Sequence, residues 1–516
     1  MKRWPSRTPH GVGVGLLILF TCCVARRVQR KLPPNVAYSL LTKAERAKIT
    51  AVEKWASSLG ATSNIKSKNL KVNLYRNSNR GLGYWVRHDN SDCIKKHELI
   101  FSVPIEACVS IKSTESHKEI AHVYRRMIDN NKISRAMGED AALALFLMIE
   151  ARLGNESLYQ PYIDFLPHKI HSPILWSPLQ LEFLQETRVK WRILGLKLSI
   201  SRIYDEFIAT NNSDLVHFCP RLYFGMMPGT LQEFRWAIAT IWSRAATINM
   251  KGLIYSRRGN FVDTYKVYDD GFKRTKLLSS ETIEAYNRKM ISTRAQKSMR
   301  RILVPMLDSI NHNRTSPSMY HYDPKLKRVQ LIAGRQYENG EEVDLNYGFF
   351  TNEDLFVNYG FSSENHELDF LTIPAKVYLR TDKRSLQERI LQHRGEDPRI
   401  VVSSKGVPLG NTMFVLRVLT FSGNTTSAFE LDQILSDLPG SKENQLNAYK
   451  LLFDVCQASY KSFNTTLEED AVELPLRKSK WIKTAIRIRM GEKLILNRCM
   501  KYAKRAGQTT LLDHRN

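Results

Sequence analysis

The spacing of apolar positions changes several times along the chain, and each change marks an element. Short β-rich runs separated by polar turns lie at Gly81-Leu82-Gly83-Tyr84-Trp85-Val86, Ile100-Phe101-Ser102-Val103 and Val109-Ser110-Ile111, and they read as small strands. A helical block follows. Glu139 and Asp140 supply acidic first-turn residues, Ala141 to Leu153 are apolar and strongly helix-forming, and Gly154 stands where a C-terminal cap belongs. Pro161, Pro167, Pro173 and Pro178 punctuate the next stretch. Leu179 to Glu186 reads as another helix, and a further one begins at Phe234-Arg235-Trp236-Ala237 and runs into Ser243-Arg244-Ala245. Ile302 to Leu307 has the pattern of a buried strand, Val329 to Ile332 is another, and Asn339-Gly340 is a turn signal ahead of Glu342 to Leu345. From about residue 381 apolar residues recur at helix spacing, in Leu446 to Tyr460 and again in Ile482 to Met500. The pattern predicts an α+β chain: a core of short β-sheets interrupted by helices, then an all-α domain over 381–510.

The chain has 516 residues, enough for two globular domains with short extensions. Its formal charge of +26 favours acidic partners and says nothing of the fold. Part of that excess sits at the N-terminus. Lys2, Arg3 and Arg7 precede an apolar run from Val12 to Phe20, and small residues end at Ala25; this is a signal-peptide pattern, with an uncleaved anchor over 11–25 as its alternative. Residues 26–48 are basic and nearly free of acid, like an organelle transit segment, so a plastid or other organelle reached through the secretory pathway is the expected destination. Residues 251–301 are polar, end in a basic run, and read as an insertion. The seven cysteines form no C-x-x-C pair, which speaks against a zinc cluster or a disulfide framework, and no metal is expected. Cationic residues are spread without an aromatic-interleaved stripe, so no nucleic-acid partner is expected.

Three segments carry the candidate chemistry: Pro305-Met306-Leu307-Asp308-Ser309-Ile310-Asn311-His312, Gly340 to Gly348 with Asn346-Tyr347-Gly348, and Asn358-Tyr359-Gly360-Phe361. Asn-His followed some thirty-five residues later by Tyr-Gly, and then by Tyr-Gly-Phe, resembles the cofactor and lysine-channel motifs of SET domains. Leu143 to Leu147, Leu153-Gly154, Pro161-Tyr162-Ile163-Asp164-Phe165-Leu166-Pro167 and Trp176-Ser177 are similar to the helical insert of the RuBisCO large-subunit lysine methyltransferase branch, and Trp236-Ala237 with Ser243-Arg244-Ala245 resembles its helix that re-enters the catalytic core. Thr465 to Asp470 and Arg487 to Leu496 resemble that branch's C-terminal substrate-binding domain. The resemblance spans roughly residues 50–505. It implies a catalytic domain over 49–380, with a helical insert at about 115–235, and a helical substrate-binding domain over 381–510.

That resemblance implies an S-adenosyl-L-methionine-dependent protein-lysine methyltransferase, monomeric, acting on a non-histone protein. It makes Tyr347 the catalytic tyrosine. It assigns Gly81, Leu82, Ser243, Arg244, Asn311, His312, Tyr347 and Tyr359 to the cofactor, with Arg244 suited to pair with a carboxylate. Asp308, Ile310 and Tyr322 are assigned to the substrate. The chemistry needs a neutral amine, and an apolar channel lowers a lysine pKa from about 10.4 by desolvation. Three positions depart from the plant enzyme: Arg80 stands for a glutamate, Ile248 for an arginine that helps bind substrate, and Ala246 for an aromatic. Related actin-histidine methyltransferases also change the last position. Protein-histidine methylation is therefore one alternative, and a catalytically silent, protein-binding SET-like module is another.

Overall fold

The computed structural model describes residues 41–63, 70–77, 81–88, 93–210, 213–223, 229–250, 299–348, 350–363, 369–379, 384–393, 398–421 and 428–512. The expected signal segment, the possible anchor over 11–25 and nearly all of the 251–301 insertion lie outside these residues. Among the described residues no helix is long and apolar enough to cross a membrane.

Helix α1 (Lys43–Ser58) opens with a capping box, in which Thr42 accepts from the backbone of Glu45 while the Glu45 side chain reaches back to Thr42. Thus part of the segment read as transit sequence is folded, and α1 packs on the insert helix α4 (Gln160–Phe165). Strands β1 (Thr62–Ser63), β4 (Leu99–Pro104), β10 (Arg328–Ile332) and β9 (Met319–Asp323) form one sheet in that order. A second sheet runs β2 (Leu70–Asn77), β3 (Gly81–His88), β11 (Glu342–Leu345), β8 (Asn311–His312). A third has β7 (Met299–Leu303) between β5 (Val109–Ser110) and β6 (Ala246–Asn249). The helical insert therefore leaves the core after β5 and re-enters at β6, and both ends are held by one strand.

Helix α3 (Arg135–Leu153) is buried on every side from Gly138 to Glu150, as expected of a helix without a polar face. It packs against α2 (Ala121–Ile128) and α6 (Leu231–Arg244). It starts earlier than the sequence pattern suggests. Ser134 caps it, so Glu139 and Asp140 are not first-turn residues but buried ones. Asp140 is enclosed by Trp242 Nε1 at 2.8 Å and Arg301 Nε at 3.1 Å, which ties α3 to α6 and β7. Gly154 ends the helix with φ +59°, a conformation that costs a residue with a Cβ. The apolar run Ile302 to Leu307 is strand only to Leu303. Met306 then takes φ +69° and residues 307–309 form a 3-10 turn, so burial, not strand pairing, accounts for the rest of the run. Leu179 to Glu186 splits into a short α-turn and a 3-10 turn.

Among the described residues the C-terminal part is helical apart from one strand pair, β12 (Phe370–Pro374) with β13 (Arg399–Ser403). Helices α8 (Thr412–Thr420), α9 (Lys442–Lys461) and α11 (Lys480–Leu512) close over Phe414, Leu416, Ala448, Leu452, Leu496 and Cys499. Short helix α10 (Leu467–Leu476) is fixed to α11 by Asp470, whose fully buried carboxylate meets Arg489 at 2.7 Å and Lys493 at 2.6 Å. Trp481 packs edge-on against Trp176 and Phe183 of the insert, with ring centroids 5.3 and 5.4 Å apart, so the two parts share an aromatic seam.

Candidate active site

The site forms where two distant segments run side by side. Strand β8 pairs with β11 in parallel, Asn311 opposite Asp344 and His312 opposite Leu345. Parallel neighbours need a crossover connection. Here it is the β9–β10 hairpin, which belongs to the other sheet, so the chain returns beneath itself. Further bonds hold the crossing: Asn313 N to Leu345 O at 2.9 Å, Ser316 Oγ to Asp344 O at 2.9 Å, and Asn346 Nδ2 to Arg314 O at 3.2 Å. Glu342 to Leu345 are buried, and the next three residues emerge beside β8. Gly348, at φ +137°, lets the chain bend away.

This crossing brings most of the expected residues together. The Tyr347 hydroxyl donates to Ile310 O at 2.7 Å, and its backbone N–H donates to His312 Nδ1 at 3.1 Å. His312 Nδ1 is thus an acceptor, which leaves any ring proton on Nε2. The Tyr347 ring lies 4.7 Å from that of Tyr359 and 5.1 Å from His312, while Phe361 stands 6.0 Å from both Tyr359 and His312. Burial pushes the Tyr359 phenol up to about 12. Helix α7 (Asn352–Tyr359), capped by Thr351 and ended by Gly360 at φ +76°, delivers Tyr359. A Cβ on Gly360 would stand 2.3 Å from His171 O, so only glycine lets the insert approach here.

Asn311 reaches across to β3, donating to Leu82 O at 2.9 Å and to Glu342 Oε1 at 2.7 Å. Gly83 makes room for this; a Cβ there would lie 2.4 Å from Glu342 Oε1 and 2.6 Å from Asn311 Nδ2. Gly81, at φ +82°, opens the same strand. At the end of α6, Ser243 Oγ donates back to Thr240 O at 3.3 Å, and Arg244 Nη1 meets Asp308 Oδ2 at 3.1 Å. Burial disfavours the Arg244 charge, but Asp308 outweighs it and holds the guanidinium above its usual pKa.

Tyr322 stands apart. It is on β9 with Glu106 and Asp323 as its charged neighbours, whereas Tyr320, two residues earlier, lies among Tyr347, Asp308 and Tyr359 and donates to Leu307 O at 2.6 Å. Tyr162, Tyr320 and Glu342 are site residues that motif reading missed. The period-two spacing of β9 was a usable signal for Tyr320; Glu342 and Tyr162 needed the packing.

The family model described as Rubisco LSMT substrate-binding matches residues 379–496. The human actin-histidine N-methyltransferase is 24% identical over 469 residues, covering 87% of this chain and 67% of that protein. The chloroplastic [fructose-bisphosphate aldolase]-lysine N-methyltransferase of Arabidopsis thaliana is 25% identical over 443 residues, covering 81% and 76%. The solved structure of Rubisco LSMT bound to AdoMet superposes with a TM-score of 0.65 at 20% identity, over 91% of this chain and 93% of that one. Residues 379–496 thus match the substrate-binding family model, and the chain as a whole has the fold of the Rubisco LSMT structures. In this SET-domain fold a helical insert lies between β5 and β6, and a largely helical part follows the catalytic core.

Proposed function

We propose that this chain is an S-adenosyl-L-methionine-dependent protein N-methyltransferase whose acceptor is lysine. The observation that carries it is the parallel β8–β11 crossing, which gathers Asn311, His312, Tyr347, Tyr359 and Phe361 into one partly buried cluster. The residues fit the cofactor. Asn311 of β8 is held against the Leu82 carbonyl of β3, and Arg244, only 14% exposed, spends one N–H on Asp308 while its others have no partner among the described residues. A guanidinium held at one edge and open at the other suits a ligand carboxylate. Leu82, Asn311, His312 and Arg244 would hold the cofactor, which supplies an electrophilic methyl group.

This chain's own residues do the rest. Tyr347 is the catalytic residue, its phenol oxygen fixed by Ile310 O and available to orient an incoming nitrogen. The surrounding rings exclude water and disfavour the ammonium form of a lysine, which raises the fraction of nucleophilic amine. The aromatic walls favour a flexible, apolar-stemmed acceptor, and this supports lysine. The histidine reading rests on the actin-histidine relatives and on Ala246, a small residue at the start of β6. For the basic segment ahead of α1 the reading is organelle delivery, in keeping with the chloroplastic relative.

Incubating the full chain and its Tyr347→Phe variant with labelled cofactor and an organelle lysate, followed by mass spectrometry, tests the reading. The expected product is methyl-lysine in one protein, lost with Tyr347→Phe. Methyl-histidine would move the acceptor; cofactor binding with no labelled product would leave a silent binding module.

A further inference from the structure

We infer that Tyr162, from α4 of the helical insert, is a positioning residue for the cofactor's carboxylate, acting through Asp308 on Arg244. The inference rests on the functional reading above and deepens it. Asp308 is assigned to the substrate by motif, but its fully buried carboxylate is already engaged. Its Oδ2 accepts from Tyr162 Oη at 2.8 Å and from Arg244 Nη1 at 3.1 Å. Its Oδ1 has no hydrogen-bond partner. The carboxylate is therefore turned so that one oxygen receives both donors.

The consequence falls on the guanidinium. A free carboxylate beside an arginine tends to take it in a two-point, fork-to-fork pair. That arrangement would use up the N–H groups Arg244 needs for a ligand. The Tyr162 hydroxyl competes for Oδ2 and fixes the carboxyl plane, so Arg244 is held by a single N–H and presents the others. Burial and the neighbouring Asp308 keep the Tyr162 phenol protonated, so it remains a donor.

Tyr162 is itself clamped. Its ring is fully buried and stacks on Trp55 of α1, centroids 6.2 Å apart and planes 11° from parallel. Trp55 is held in turn by its Nε1 donating to Leu158 O at 2.8 Å. Helices α4 and α1 thus set the geometry of an arginine at the end of α6.

The test compares two ligands that differ in the carboxylate. S-Adenosylhomocysteine carries it, and 5′-methylthioadenosine lacks the whole amino-acid end. Binding of each to the full chain and to Tyr162→Phe is measured by calorimetry. Tyr162→Phe is expected to weaken S-adenosylhomocysteine about threefold to tenfold, the scale of one hydrogen bond to a charged group, and to leave 5′-methylthioadenosine unchanged. Trp55→Leu, which removes the stacked ring but keeps the hydroxyl, is expected to shift the same ratio less. Unchanged 5′-methylthioadenosine binding also reports that each variant is folded. Equal weakening of both ligands, or of neither, in a chain that binds them would overturn the positioning role. Failure of the parent chain to bind either would overturn the functional reading as well.

Discussion

Gly83→Ala adds one methyl group at a tight point of the site. Its Cβ would stand 2.4 Å from Glu342 Oε1 and 2.6 Å from Asn311 Nδ2, well inside the separation that carbon and a polar atom tolerate. Neither neighbour is a loose side-chain end. Asn311 Nδ2 bonds both Glu342 Oε1 at 2.7 Å and Leu82 O at 2.9 Å, so relief means pulling Asn311 off β3. Losing the bond to a carboxylate costs about 1.5–3 kcal/mol and the bond to a carbonyl about 1 kcal/mol. Partial relaxation recovers some of this, which leaves roughly 2–3 kcal/mol. The cost divides between fold stability and cofactor affinity, because β8 carries Asn311 and His312 together. Calorimetric titration with S-adenosylhomocysteine and urea unfolding, summed, should account for it, with affinity alone falling about tenfold or more. Gly195→Ala in helix α5 (Arg188–Tyr204) serves as the control. A Cβ there meets nothing within 4 Å, and the change should be neutral or slightly stabilising. If Gly83→Ala binds and melts like the parent, the cradle drawn here between β3 and β8 is wrong.

Tyr347→Phe is expected to lower kcat by about 10²–10³ while cofactor binding stays within about threefold, because the change removes the hydroxyl that donates to Ile310 O and leaves the ring in place; steady-state kinetics and a binding titration separate the two. Asp470→Asn should leave buried Lys493 without its counter-charge and Arg489 with Glu473 alone, costing about 3–5 kcal/mol in urea unfolding. Burial raises Glu492 to about 8 although Arg188 N donates to it at 2.7 Å. Its folded pKa lies above its usual 4.5, so its stabilisation is fully present below about 4.5 and is lost as pH rises to about 8. Glu492→Gln should flatten the stability profile between those limits, measured by melting temperature across pH.

What could be read from the chain, and what could not, divides along a physical line. Asn311-His312, Tyr347-Gly348 and Tyr359-Gly360-Phe361 are local patterns, and the structure brings them into one cluster. Helix α9 and the body of α11 likewise follow from apolar spacing within one segment. The errors came where a polar or apolar residue is explained by a distant partner. Asp140 resembled a helix-starting acid because nothing nearby in sequence announces Arg301 or Trp242, and Met306-Leu307 resembled strand because a buried turn is as apolar as a buried strand.

Asp308 shows the same limit inside the site. Its place four residues before His312 marked it for the substrate, yet its carboxylate is claimed by Arg244, 64 positions away, and by Tyr162, 146 away. A motif fixes where a backbone goes; the third dimension decides which side chain a buried charge must answer to. Burying a carboxylate is costly unless donors surround it, so the partners of Asp308 are as much a requirement of the fold as of the chemistry. That double requirement explains why a tyrosine from the helical insert, given no site role by its motif, shares one carboxylate oxygen with Arg244.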